Sequence, residues 1–238
     1  WSFIHPHPPY PPPAPWDRLD KVDEVGDPPL PPDSVQRQNK YIQSALHSYY
    51  LDPPTSPTLW RMIRARYYAC VSFIDHQIGR ICEALEQTGQ ERNTLILFAS
   101  DHGDMLGDLG LIGKEDMYGP AVRVPLLIRP CGDQHQEQRI ATATSLVDVA
   151  ATIVAAAGLE VPATFDGVNL LDVASNPDRY AGRTVVSQVQ CEDRGIYMIA
   201  NERFKYSYSV ADERELLYDY SGDATEDHNL IREPAYAG

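Results

Sequence analysis

Residues 94–99, Thr-Leu-Ile-Leu-Phe-Ala, run apolar without alternation and stop at Ser-Asp-His-Gly. A run this short and this evenly apolar suits a strand covered on both faces, the setting of a parallel sheet between helices. A second such run at 124–128 is bounded by Pro130. Upstream, apolar residues from Leu59 to Leu85 recur at steps of three and four, which predicts one long amphipathic helix over 57–88. Ser56 is placed to cap it, Pro57 suits its first turn and Gly89 its end. Another helix is predicted over 145–157, closed by Gly158. Helix, strand, loop, strand, helix is the order of an α/β layer fold. After Pro162 the texture changes. Runs at 184–189, 196–200, 203–208 and 215–220, rich in Tyr, Val and Ile, predict a small antiparallel sheet.

The 238 residues are enough for a sizeable core. The expected division is an α/β part over 1–160 and a small α+β subdomain over 161–238. Within the first part, 1–55 is expected to be a proline-rich ordered loop region. Eleven prolines in residues 1–34 exclude helix or central strand there. Trp1, Phe3, Ile4, Tyr10 and Trp16 are costly to leave in water, so the segment is expected to pack over a larger body.

A net charge of -14 argues against a nucleic-acid partner, which needs a basic footprint. Much of the acidity lies in 211–238 and reads as a solvated tail. No run approaches the roughly 18 apolar residues that span a bilayer, so no membrane partner is expected. Trp1 leads directly into proline-rich sequence, without a signal-peptide pattern or an initiator methionine. The expectation is a chain cut at its start. Cys70, Cys82, Cys131 and Cys191 form no C-x-x-C pair, which argues against a zinc cluster. Read as reduced thiols, they lean towards a cytoplasmic, bacterial setting.

Ligands of α/β sheets bind beyond the carboxyl ends of strands, where Asp101 and His102 lie. Neighbours in a regular strand point to opposite faces, and a turn at Gly103 removes that restriction. A carboxylate and an imidazole can then share a divalent cation. The alternative is a helix-capping aspartate beside a surface histidine. Lys114 follows across a glycine-rich stretch. A metal and a lysine converging on one point describe a site for a sulfate or phosphate ester, whereas a lysine such as Lys114 alone is more often a solvated loop residue. In "HPHPPY", rigid prolines restrict His5 and His7, and a histidine there can give a proton to a departing oxygen. A chance His-Pro-His in a polar loop is the rival.

Five segments occur together in order: "SFIHPHPPYPPPAPW", "LILFASDHGDMLGDLGLIGK", "VRVPLLIRP", "TSLVDVAATIVAAAGLEVPATFDGVNLL" and "ELLYDYSGDATEDHNL". Over nearly its whole length the chain resembles the sulfatases of the alkaline-phosphatase-like superfamily, near arylsulfatases, phosphonate monoester hydrolases and choline sulfatases. The resemblance implies an alkaline-phosphatase-like α/β sandwich lacking its N-terminal strands, with a small C-terminal antiparallel sheet. It implies Asp101 and His102 as metal ligands, Lys114 as the contact to the anionic group, and His7 beside the leaving oxygen. His5 is a weaker substrate contact, and Leu109 stands where many relatives have histidine.

The family's nucleophile is a cysteine or serine in Cys/Ser-x-Pro-x-Arg, matured to formylglycine. No cysteine here has that setting, and "TSPTLWR" lacks the arginine at the right step. The nucleophile and the remaining acidic ligands are therefore expected in an N-terminal half outside this chain, which alone is expected to be inactive. The implied cofactor is one divalent metal, Ca2+ first, with Mn2+ or Zn2+ as alternatives. The implied reaction is metal-assisted sulfate monoester cleavage. Rival readings are a phosphonate monoester hydrolase or phosphodiesterase on the same scaffold, a catalytically dead anion-binding module, and a nicked enzyme whose N-terminal half is a separate chain.

Overall fold

In the computed structural model the described residues are 1–19, 21–38, 54, 56–132 and 137–236. They group into two compact units. One draws on the described residues of 1–38, 54–94 and 103–114, the other on those of 95–102 and 115–236.

The first unit is built on α1 (Pro57–Gln87), 31 residues long. Pro57 opens it, its missing N–H costing nothing in the first turn. Ser56 precedes it but makes no capping hydrogen bond, contrary to expectation. Gly89, at φ +66°, ends it, and Gln90 N–H returns to Leu85 O. The apolar stripe is wider than the face that is covered. Trp60, Ala65, Ala69 and Cys70 are buried, whereas Leu59, Met62 and Val71 stay exposed. The proline-rich segment supplies part of the cover. Trp16 packs edge-on against Phe73 at 5.2 Å, Tyr10 against Tyr67 at 5.9 Å, and short 3-10 turns at Trp16–Leu19 and Val22–Glu24 lie along α1. Tyr10 is buried. Trp1 and Ile4 are exposed, so only part of the expected aromatic packing forms.

The second unit holds β1 (Ile96–Ala99) and β2 (Leu126–Arg129), paired with Ile96 opposite Arg129 and Ala99 opposite Leu126. The pairing is antiparallel, which corrects the parallel expectation. Even apolarity reports cover on both faces but carries no direction. The cover is also incomplete, with Leu127 59% exposed. The second strand starts at 126 because Pro125 has no N–H to give a ladder.

Two helices follow, α2 (Val147–Ala156) and α3 (Leu170–Ser175). The fully buried Asp148 ties this region together. It accepts Ser145 N–H and Val168 N–H and takes two bonds from Arg183 at 2.8 and 2.9 Å.

The chain closes with an antiparallel meander of β3 (Val185–Val189), β4 (Ile196–Ala200), β5 (Phe204–Ser209) and β6 (Arg214–Asp219). Against the hydrophobic pattern, β5 turns Lys205, Ser207 and Ser209 inward. Lys205 is reconciled to burial by Glu226, its Nζ lying 2.6 Å from Oε1 and also donating to Met117 O. Among the described residues, no helix is long and apolar enough to cross a membrane.

Candidate functional site

β1 ends at Ala99, and the chain turns at once. Ser100 Oγ donates to His102 O at 2.8 Å, and His102 N–H donates to Asp101 Oδ1 at 3.0 Å. These two bonds fold the Asp101 carboxylate back over its neighbour. Its Oδ2 comes to 3.5 Å from His102 Nε2, with the two side chains 82% and 38% exposed. One carboxylate oxygen and one ring nitrogen thus stand side by side at the strand end, open to solvent. No helix begins there for Asp101 to cap. Among the described residues no group of three or more His, Cys, Asp or Glu side chains is placed to hold a metal.

The first unit joins the other two expected residues. Lys114 Nζ lies 3.3 Å from His7 Nε2, across 107 positions of sequence. His7 Nδ1 lies 2.8 Å from Pro8 O. A carbonyl only accepts, so Nδ1 carries a proton, and Nε2 presents its lone pair to the Lys114 ammonium. His5 is engaged differently. Its Nε2 meets Pro11 O at 3.2 Å and its ring meets Phe73 edge-on at 5.5 Å. Asp101 with His102 and His7 with Lys114 are therefore two close pairs, one in each unit.

The loop 104–113 that leads to Lys114 is closed on itself. Met105 N–H donates to Gly113 O and Gly107 N–H to Leu111 O, both at 2.7 Å. Arg64 on α1 holds its far side, with Nη1 3.3 Å from both Leu106 O and Asp108 Oδ1. Burial pushes the Asp108 carboxyl up, and Arg64 opposes that shift. Leu109 is buried. Its N–H donates to Pro29 O and its carbonyl accepts from Gln38 Nε2.

Sequence reasoning assigned no site role to Asp104 or Tyr10. Asp104 accepts Leu106 N–H at 2.9 Å and Gly113 N–H at 3.1 Å on Oδ1, and Tyr10 O–H at 2.8 Å on Oδ2. The signal was an acid at the mouth of a glycine-rich loop, whose backbone N–H groups need an acceptor. A Ser-x-Pro-x-Arg string at 175–179 also passed unremarked. Its local structure accounts for it. Ser175 closes α3 with Oγ donating to Leu171 O, and Arg179 pairs with Asp172 at 3.0 Å.

A sequence model of the sulfatase family matches residues 1–159. The chain belongs to the sulfatase family. A second model, described as N-sulphoglucosamine sulphohydrolase, C-terminal, matches 107–238. Among curated sulfatase-type relatives, the choline-sulfatase of Rhizobium meliloti is 32% identical over 237 residues, 98% of this chain and 46% of the relative. A multifunctional alkaline phosphatase superfamily protein of Trinickia caryophylli is 32% identical over 195 residues, 74% of this chain and 38% of the relative. Among solved structures, a phosphonate monoester hydrolase of Silicibacter pomeroyi superposes with a TM-score of 0.83 at 25% identity. The match covers 99% of this chain and 52% of that one. The α/β fold is thus the one these alkaline-phosphatase-like proteins share. This sulfatase chain spans about half the length of the relatives it matches.

Proposed function

We propose that this chain carries the anion-handling and part of the metal-holding residues of a sulfuric ester hydrolase whose formylglycine nucleophile lies in a preceding segment. The observation that carries the reading is the 3.3 Å approach of Lys114 Nζ to His7 Nε2. A cation and a proton-bearing ring placed together suit a tetrahedral anion and its leaving oxygen. Lys114 offsets the charge of the sulfate group. His7 holds one proton on Nδ1 against Pro8 O, so the proton given to the leaving oxygen passes from the Lys114 ammonium through Nε2.

Asp101 and His102 fit a divalent metal as two of its ligands. Donors about 2.2 Å from a shared cation stand roughly 3.1–3.6 Å apart between octahedral and tetrahedral angles, and here the separation is 3.5 Å. Such a metal polarises ester oxygens when bound. The oxygen-and-nitrogen donor set admits Ca2+, with Mn2+ and Zn2+ as alternatives. Two ligands hold a hard cation weakly, since about six donors are usual.

The substrate class is a small sulfate monoester, in keeping with the choline-sulfatase relative. The superposition on a phosphonate monoester hydrolase favours a second reading, hydrolysis of phosphonate monoesters on the same residues. The test uses a longer protein that contains this chain, assayed with an aryl sulfate and a phenyl phosphonate ester. The expected outcome is faster turnover of the sulfate, with Lys114→Met and His7→Ala each lowering kcat about 10²–10⁴-fold. Faster phosphonate turnover selects the second reading. Full activity in Lys114→Met overturns both.

A further inference from the structure

The loop bearing Lys114 and the proline-rich segment bearing His7 come from opposite ends of the first unit's sequence, and one carboxylate touches both. Asp104 Oδ1 accepts Gly113 N–H at 3.1 Å, one residue before Lys114. Its Oδ2 accepts Tyr10 O–H at 2.8 Å, three residues after His7. The same Oδ1 takes Leu106 N–H, so the carboxylate is held on three sides and cannot follow either segment alone. Tyr10 is equally constrained. It is buried, sits at φ +62°, and packs edge-on against Tyr67 of α1. The Tyr67 phenol is pushed up by burial and further by the Asp104 carboxylate, which marks a charge kept close to the aromatic layer.

We infer that Asp104 is a positioning residue. It sets the approach of Lys114 to His7 by bonding the backbone of one segment and the side chain of the other. The inference rests on the anion-site reading for its functional meaning but not for its geometry. The alternative explanation of Asp104 is loop closure alone, and the Leu106 and Gly113 N–H bonds would suffice for that. The Tyr10 bond adds nothing to the 104–113 loop. It serves only to register the His7 segment against it. Charge-assisted bonds of this kind are about twice as strong as neutral ones, which gives the register its stiffness.

The experiment uses the 238-residue chain, with the His7 ring carbon–proton resonance followed by NMR without ligand. Lys114→Met defines the resonance position when the contact is lost. Tyr10→Phe removes one hydroxyl while the ring stays packed, and Asp104→Asn keeps the shape but not the charge. The inference expects both variants to move the His7 resonance at least halfway towards its Lys114→Met position. It also expects inorganic sulfate to bind Tyr10→Phe about tenfold more weakly than the unsubstituted chain, the scale of one hydrogen bond to a charged group. A His7 resonance unmoved in Tyr10→Phe overturns the inference even if thermal stability falls, because loop closure alone predicts that pattern. If Asp104→Asn does not fold, Tyr10→Phe decides. Sulfate that leaves the His7 resonance of the unsubstituted chain unmoved counts against the anion-site reading, while the ligand-free spectra still decide the role of Asp104.

Discussion

Gly107 shows how a single residue can be required for reasons invisible in its own neighbourhood of sequence. Its φ of +97° is a conformation that L side chains rarely adopt, and a Cβ there would lie 2.8 Å from Pro28 Cβ and 2.9 Å from Trp60 Cε3. The glycine-rich texture of 103–113 was legible. The close approach of Pro28 and Trp60 was not, because both are distant in sequence. Leu106 and Leu109 share the loop's left-handed backbone at φ +45° and +58° without glycine's freedom, which implies that surrounding contacts hold them there. Gly107→Ala is expected to cost about 2 kcal/mol or more through clash and backbone strain. A urea midpoint unchanged from the unsubstituted chain would show that Pro28 and Trp60 yield easily.

At the level of elements, boundaries were easier to read than faces. The stripe from Leu59 to Leu85 located α1 within a residue, yet Leu59, Met62 and Val71 lie exposed while Ala65 and Ala69 are buried. Small residues carry the closest approach, and hydrophobicity alone does not mark them. β5 is the sharper case. Its aromatic positions Phe204, Tyr206 and Tyr208 are half-buried, and Lys205 is 1% exposed. Burial pulls the Lys205 ammonium down, and pairing with Glu226 opposes that shift. Glu226 also accepts Gly119 N–H and Tyr220 O–H, so the pair pins the 117–119 turn to the sheet. Lys205→Met is expected to cost about 3–5 kcal/mol, because the buried Glu226 loses the ammonium that offsets its desolvation. Adding Glu226→Gln should recover a large part of that loss, since the amide still accepts the Gly119 bond. Denaturant midpoints of the single and double variants check this, and a neutral Lys205→Met would contradict it.

Across the whole chain, one buried acid writes a signature into the pH dependence of folding. Burial raises the Asp116 carboxyl from 3.8 to about 6, against the opposing Met117 N–H bond at 2.6 Å. The folded chain keeps a proton that the unfolded chain has released, so stability from this group is full below about pH 4 and is lost as pH rises through about 6. Relative to Asp116→Asn, the unsubstituted chain should lose about 3 kcal/mol between those limits. Parallel stability curves for the two proteins from pH 4 to 7 would show that the carboxyl titrates normally. The sequence by itself determined the family, through five ordered segments, and the existence and order of the principal helices and strands, because both are written in local spacing. It also placed Asp101 and His102 at a strand end, since a strand's limit is a local property. Tertiary structure alone decided that β2 runs antiparallel to β1, that Lys205 faces inward, and that His7 meets Lys114 across 107 positions. Pairing direction and long-range approach depend on how distant segments close and pack, and local periodicity carries no record of that.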